Sequence, residues 1–338
     1  MALKIFVTAV NAIMPIVLII GLGYFLRQRN FLTEEFVRIG NKLMFQILIP
    51  LMLFTNTYSI ESFSSVPWDL ALFGVGMIFL LFLLGYFLTP GLTKSRGRKG
   101  VLLQSTFRSN TAIIGIPLAQ ALGGDEAVLV ATVVTAVCVP FLNMLSVVAL
   151  SLYGEKGGKL DVRKLLKNVV TNPLILGIVA GFVCIGLRTL QKALFGSVVF
   201  TLSGNLKFLY SATAQIGSIA TPFALLMLGG EFSFSAMGDM KREIAWGTLC
   251  RVAIAPALGL GAAILLTKLG ILHCASQDYP ALIALFGTPV AVSSAVMAGQ
   301  MGCDEQLAAQ IVVWSSVMSI FTLFITVCVL MGAGFMVV

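Results

Sequence analysis

The chain has 338 residues, of which 58% are hydrophobic and only 11% are charged, and its formal net charge is +8. A soluble domain usually carries about 25% charged residues, so this composition, with a mean hydropathy of +1.00, excludes an ordinary soluble protein and indicates a membrane protein. The basic residues fall in short loops between apolar segments and form no single face, so the positive charge does not predict binding to nucleic acid.

Ten stretches of the chain are long and apolar enough to cross a bilayer, which takes roughly 20 residues each. We expect these spans at 6–26, 36–56, 68–89, 100–122, 127–152, 172–188, 211–230, 244–269, 280–301 and 307–338. The first exceeds the apolar core of a cleavable signal peptide and should stay as a span. A polar, basic stretch at 153–171 separates two halves, 1–152 and 172–338.

The fourth span carries residues that a continuous membrane helix does not favour. Pro117 has no amide proton, so the carbonyl of Ile113 loses its helical partner, and Gly115 adds a second weak point. The side chain of Asn110 can cap a new helix start, and Arg108 is a cation inside a hydrocarbon-length segment. Because lipid tolerates broken backbone only where it is buried in protein or lines a wet cavity, this stretch predicts half of a transport site.

The two halves of the chain resemble each other. The sequence at 121–126 (ALGGDE) matches 300–305 (QMGCDE), and the Gly-Ile-Pro at 115–117 matches the Gly-Thr-Pro at 287–289. Each half holds five spans, an odd number, so the second copy is expected to be inverted. Paired interrupted spans in an inverted repeat predict a substrate site where the breaks of spans four and nine meet.

Loop charges predict the orientation of the chain. The basic residues concentrate on one set of alternate loops, at 27–42, 94–99, 156–167 and 241–242. The side richer in Lys and Arg is normally cytoplasmic. We therefore expect a multi-pass protein of the cytoplasmic membrane with a cytoplasmic basic loop at 153–171 and both termini outside.

The motif in the fourth span resembles that of a known family. Asn110-Thr-Ala-Ile-Ile-Gly-Ile-Pro117 is similar to the N-T-x-x-x-G-I-P signature of the auxin efflux carrier family, the PIN-like transporters. Asn172-Pro173 and the stretch 221–229 are similar to that family as well, so the resemblance runs nearly end to end. It implies an all-α membrane protein of ten transmembrane helices in a 5+5 inverted repeat with broken crossing helices four and nine, a fold related to bile acid–sodium symporters.

The resemblance also implies roles and substrates. Asn110, Gly115 and Pro117 match the family's crossover in helix four, and Pro289 matches that in helix nine. Helices one, two, six and seven would form a scaffold, and helices three to five and eight to ten a transport domain. Family members move small organic anions: auxin in plants, and dicarboxylates such as malate or malonate in bacteria. Arg108 departs from the pattern, which leaves the substrate class open, and the short central loop indicates a bacterial-type member.

The candidate substrate-binding residues lie at the two breaks. They are Arg108, Asn110, Gly115, Pro117, Thr288, Pro289, Ser293 and Ser294. The amide of Asn110 can donate to a carboxylate beside the positive start of a half-helix, or it can simply cap that helix. The hydroxyls of Thr288, Ser293 and Ser294 can contact a substrate or a cation, or they can bond their own backbone. The prolines are expected to shape the crossing without touching the substrate.

Two arginines lie within predicted spans. Arg108 can snorkel to the basic cluster at 96–99 or pair with an anionic substrate. For Arg251 the expectation is snorkelling or an internal ion pair. Asp304 and Glu305 are expected to be loop acids or partners of a helix start.

These features predict a secondary transporter that moves small organic anions, mono- or dicarboxylates, by alternating access, with the substrate held where helices four and nine cross. The alternative is a sodium- or proton-coupled symporter or antiporter of the same fold for a different solute, with Glu231 as a candidate for proton coupling. The partners expected are an organic anion, the lipid bilayer and, through the scaffold, a second copy of the chain.

The sequence does not predict an enzyme. A catalytic site would need a nucleophile–base pair or a metal cluster, whereas the single histidine, His273, lies in a predicted loop. The six cysteines lack metal-ligand spacing, so we predict no metal and no cofactor. No nucleotide-binding loop is present, which disfavours primary active transport.

Overall fold

The computed structural model describes residues 2–59, 68–154, 167, 170–232 and 235–336. Across these residues the regular structure is helical, with one isolated antiparallel bridge between Ser109 and Val290. The predicted basic loop at 153–171 lies mostly outside the described residues, as do the side chains of Pro117 and Glu231.

The described chain contains fourteen α-helices. They are α1 (Ala2–Gln28), α2 (Glu34–Leu43), α3 (Ile49–Tyr58), α4 (Trp68–Leu92), α5 (Arg96–Phe107), α6 (Ile116–Tyr153), α7 (Pro173–Phe195), α8 (Leu202–Asn205), α9 (Lys207–Glu231), α10 (Lys241–Leu249), α11 (Ala255–Lys268), α12 (Tyr279–Phe286), α13 (Ser293–Gln300) and α14 (Glu305–Gly332). Short 3₁₀ turns precede α10 and α12, at Ser235–Met240 and Ser276–Asp278.

Seven helical stretches of the described chain are long and apolar enough to cross a membrane. They are Glu34–Tyr58, Trp68–Leu92, Leu118–Tyr153, Pro173–Phe195, Lys207–Gly230, Gly238–Lys268 and Glu305–Gly332. The first predicted span lies on α1, of which a shorter apolar part, Val17–Gln28, is described in full. The fourth and ninth predicted spans are interrupted, so neither forms one continuous helix of that length. The count of ten and the inverted repeat therefore stay predictions.

The two interruptions lie within the segments that the sequence marked. The first falls at 108–110, between the end of α5 and a π-helical turn, Thr111–Gly115, that leads into α6. The second falls at 287–292, between α12 and α13. We call these two segments together the crossing.

The first break is not caused by Pro117, and on this point the sequence interpretation was wrong. Pro117 lies in the first turn of α6, several residues after the break. Pro50 and Pro256 occupy the same place in α3 and α11. Each of the three follows a five-residue π turn, the other two being Met44–Leu48 and Cys250–Ile254. A π turn widens the helix before a residue that lacks an amide proton, so the helix continues through the proline.

Glycines turn the chain after each interrupted span. The segment 121–126, which was expected to separate spans four and five, is a kink within α6, where Gly124 has a φ of 65°. Gly302 has a φ of 71° in the matching segment at 300–305. Residues with a side chain rarely adopt this left-handed conformation, which explains glycine at both places.

The helices pack so that the crossing is buried. The helix α1 packs along α9 and α3 packs along α7, while α4, α5 and α6 pack together and α12 lies against α6. The backbones of α1 and α9 approach closely: a Cβ built on Gly23 would overlap the carbonyl oxygen of Leu226, and one on Gly229 would overlap that of Ile20. Small residues of this kind let membrane helices meet backbone to backbone.

We expect Gly23→Ala to lower the free energy of unfolding by roughly 1–3 kcal/mol, because the new methyl group overlaps backbone that cannot rotate away. The measurement is thermal unfolding of the purified protein in detergent. Gly21→Ala is the matched control on the same helix, since a Cβ there meets nothing within 4 Å. Equal unfolding temperatures for the two variants would contradict the close approach of α1 and α9.

Candidate functional site

The two breaks meet and satisfy part of each other's backbone. The amide of Asn110 donates to the carbonyl of Pro289 at 2.9 Å, next to the bridge between Ser109 and Val290. The amide of Val290 donates in turn to the hydroxyl of Ser315 on α14, at 3.1 Å. A broken helix leaves backbone groups without intrahelical partners, and here each break supplies partners for the other.

A cavity of about 230 Å³ lies against one face of the crossing. Its walls come from α3, α6 and α9, from residues 108–112 at the first break and the start of the π turn, and from residues 291–293 at the end of the second break and the start of α13. The polar side chains on the walls are those of Asn56, Arg108, Ser109, Asn110, Thr111, Asn143, Thr221 and Ser293.

Arg108 is a buried cation whose partners are neutral. Its side chain is 2% exposed, and Nη2 donates at 2.8 Å both to Oδ1 of Asn143 and to Oγ of Ser293. Nη1 contacts the sulfur of Met297 on α13. Among the described ion pairs none involves Arg108, so no described carboxylate balances its charge. Arg108 therefore does not snorkel to the cluster at 96–99, which was one of its two expected roles.

Asn110 carries a buried polar group without a partner among the described residues. It precedes the π turn at Thr111, yet its side chain makes no capping hydrogen bond, so the expected cap is absent. Asn110 is 3% exposed, and its Nδ2 has no partner among the described residues. An unpartnered buried amide is costly, and this one belongs to a residue that lines the cavity.

The other predicted site residues divide between the cavity wall and the packing around it. Ser293 lies on the wall with Arg108 and Asn110, whereas Thr288 and Ser294 are buried away from it. The hydroxyl of Thr288 donates to the carbonyl of Ala284 on the preceding helix, α12, at 2.9 Å.

Gly115 and Pro289 contribute through their backbones. A Cβ on Gly115 would lie 2.8 Å from that of Ala284, so this glycine lets the start of α6 pack against α12. The carbonyl of Pro289 is the acceptor for Asn110. Pro117 lies in the first turn of α6, and its side chain is outside the described part of the protein.

Arg251 overturns the expectation of snorkelling or an ion pair. It is fully buried and bonds only to backbone carbonyls among its described partners. Nε donates to Thr288 at 2.8 Å, Nη1 to Phe107 at 3.1 Å, and Nη2 to Leu285 at 3.1 Å and Phe286 at 2.5 Å. One guanidinium thus joins the ends of α5 and α12 on the crossing.

The acids after the second break are partners of a helix start, as expected. Asp304 accepts from the amide of Leu307 at 2.9 Å and so caps α14, and it also pairs with Arg98 at 3.2 Å. Arg98 bonds to Glu243 as well, at 3.0 Å. Glu305 accepts from Nδ2 of Asn41 at 3.0 Å, which links α2 to α14. None of these groups lies on the cavity wall.

Comparison with known proteins agrees with this architecture. The model of a family described as membrane transport protein matches residues 8–327. The chain belongs to this family. The match confirms the resemblance to the auxin efflux carriers that the motif at 110–117 predicted.

Two archaeal transporters illustrate how far the similarity extends. An uncharacterized transporter of Methanocaldococcus jannaschii is 23% identical over 254 residues, which cover 73% of this chain and 76% of the relative. An uncharacterized transporter of Methanothermobacter thermautotrophicus is 21% identical over 322 residues, which cover 94% and 97%. Both resemble this membrane transporter along most of their length.

The sequence patterns did not identify the cavity residues that lie outside the two breaks. Asn143 holds Arg108, yet it lies far from the motif and was not singled out. It is the one amide side chain in the apolar stretch 127–152, and this is the signal that could have found it. Asn56 on α3 and Thr221 on α9 lie on the wall without any motif that marks them.

We expect Asn143→Ala to lower the free energy of unfolding by about 1.5–3 kcal/mol, because a buried guanidinium loses a hydrogen-bond acceptor. Thermal unfolding in detergent measures the loss. Asn56→Ala is the matched control, since that amide lies on the same cavity and is exposed. If both variants unfold at the wild-type temperature, Asn143 does not stabilise Arg108.

Proposed function

We propose that this family member is a secondary transporter that carries small organic anions, mono- or dicarboxylates, across the cytoplasmic membrane. The observation that carries the proposal is Arg108, a residue of the cavity wall whose guanidinium meets neutral partners among the described residues. A buried charge without a counterion is unfavourable. A carboxylate that enters the cavity would supply the missing counterion.

The remaining polar groups suit a carboxylate as well. The unpartnered Nδ2 of Asn110 is a donor that a carboxylate oxygen can accept from. The hydroxyl of Ser293, at the start of α13, accepts from Arg108 and can donate to a carboxylate oxygen. Helix starts carry positive potential, so α13 and the π turn after Asn110 add to the attraction.

The size of the cavity favours a small substrate. Its volume of about 230 Å³ lies below the range of about 300–1,000 Å³ that is usual for drug-sized ligands. In this proposal Arg108, Asn110 and Ser293 contact the anion. Gly115, Pro117, Thr288, Pro289 and Ser294 keep the two breaks in place.

We propose alternating access on the basis of where the cavity lies. One wall belongs to α3 and α9 and the opposite wall to the crossing. We propose that α1–α3 and α7–α9 form the scaffold, and that α4–α6 and α10–α14 form the transport domain of an inverted repeat. Movement of one unit against the other would open the cavity to each side in turn. The basic loops would face the cytoplasm, both termini would be outside, and a dimer would form through the scaffold.

The proposal is tested by uptake into proteoliposomes of labelled malate, malonate and indole-3-acetate, with and without pH and sodium gradients. We expect saturable uptake of at least one acid and a loss of at least tenfold in Asn110→Ala and in Arg108→Gln. The adjacent serines are a matched pair: Ser293→Ala should raise the half-saturating concentration, and Ser294→Ala should not. The gradients distinguish a uniporter from a sodium- or proton-coupled carrier. Absence of flux for every acid, or flux that is the same in Asn110→Ala as in the parent protein, would contradict the anion assignment.

A second prediction concerns the counterion of Arg108. Asn143→Asp places a carboxylate where the amide oxygen now lies 2.8 Å from Nη2. We expect the variant to keep its fold and to lose at least tenfold in uptake, because the internal carboxylate competes with the anionic substrate. Asn56→Asp adds the same charge to the same cavity away from Arg108 and should reduce uptake less. Uptake that survives Asn143→Asp unchanged would show that Arg108 does not bind the anion.

A further inference from the structure

Arg251 is the second buried arginine of the crossing, and it does not line the cavity. Its guanidinium lies behind the breaks, where it donates to carbonyls of Phe107 on one side and of Leu285, Phe286 and Thr288 on the other. It comes from the π turn Cys250–Ile254, between α10 and α11. Both broken helices therefore converge on one side chain from a third element.

These carbonyls need a partner because both helices stop inside the protein. The last four carbonyls of a helix have no intrahelical donor, and the hydrocarbon region offers no water to replace one. The amide of Arg108 uses the carbonyl of Gln104, and that of Gly287 uses the carbonyl of Ile283. Arg251 takes the carbonyl of Phe107 in the first helix and those of Leu285 and Phe286 in the second.

The charges at this point nearly cancel. Each helix end carries a partial charge of about −0.5, so the ends of α5 and α12 together present about −1. The guanidinium of Arg251 contributes one positive charge in direct contact with both ends. Without it, the two negative ends would oppose Arg108, which lies on the neighbouring, cavity-facing side of the same break.

We infer that Arg251 is a positioning residue that sets the sign of the electrostatic potential in the cavity. It neutralises the negative ends of both broken helices, so Arg108 and the positive helix starts determine which charge the cavity accepts. It touches no substrate. This inference rests on the proposed function, since a positive cavity is of use only to a carrier of anions.

The test measures the cavity charge without a substrate. Thr221→Cys places a thiol on the α9 wall of the cavity. Two methanethiosulfonate reagents of similar size, one bearing a sulfonate and one a trimethylammonium group, then compete for it in the purified full-length protein. Mass spectrometry of the peptide that contains position 221 gives the two modification rates, and their ratio cancels differences in access. The ratio is compared among Arg251, Arg251→Lys and Arg251→Gln, each first shown to be monodisperse.

We expect Arg251→Lys, which keeps the charge, to leave the sulfonate preference within about twofold of the parent. Arg251→Gln keeps hydrogen-bond donors and loses the charge, so the preference should fall at least tenfold. That is the scale expected for a unit charge at about 10 Å in a medium with an effective dielectric constant of about 20. The matched control is Arg242→Gln, which removes an exposed arginine of α10 and should leave the ratio unchanged.

A folded Arg251→Gln protein with the parental ratio would overturn the inference. If that variant does not fold, Arg251→Lys decides, because a tenfold fall in a variant that keeps the charge would contradict the electrostatic role. The failure of the proposed function looks different. In that case the ratio follows the charge at position 251 as expected, while no carboxylate is taken up by the parent protein.

Discussion

The structure depends on one constraint: a helix that is interrupted inside a bilayer must find partners for its backbone within the protein. Two helices are interrupted here, and each break supplies hydrogen-bond partners for part of the backbone of the other. Asn110 donates to Pro289, Val290 donates to Ser315, and the remaining helix ends share the guanidinium of Arg251. The meeting of the breaks is thus a condition of stability, whatever else the cavity beside it does.

The same arrangement separates two positive charges that lie close together in the fold. Arg251 is surrounded by carbonyls and its charge is balanced by helix ends, whereas Arg108 is held by neutral side chains beside an open space. The same arginine side chain therefore plays a different part at each position. One arginine stabilises the backbone, and the other keeps a charge that no described carboxylate balances. Asn143 and Ser293 contribute by orienting the guanidinium of Arg108 without neutralising it.

Sequence patterns located the crossing but not the reason for it. Span length, the Gly-x-Pro pairs and the charge of Arg108 depend on local residue types, so they could be recognised along the chain. The break itself lies at 108–110 because the backbone there pairs with a segment far away in sequence, and Pro117 is accommodated by a π turn that no local pattern announced. The partners of Arg251 are main-chain carbonyls, which every residue carries, and thus no side-chain motif could reveal them.

The contact between Gly23 and Gly229 has a mechanical consequence for the cavity. Side chains normally form a compliant layer between two helices, because rotamers can adjust, but at these two glycines α1 and α9 meet backbone to backbone. The helix α9, which carries Thr221, is consequently held against α1 with little freedom to slide or tilt. Any change of shape that accompanies filling of the cavity must then be taken up on the opposite wall, where the polypeptide is already interrupted.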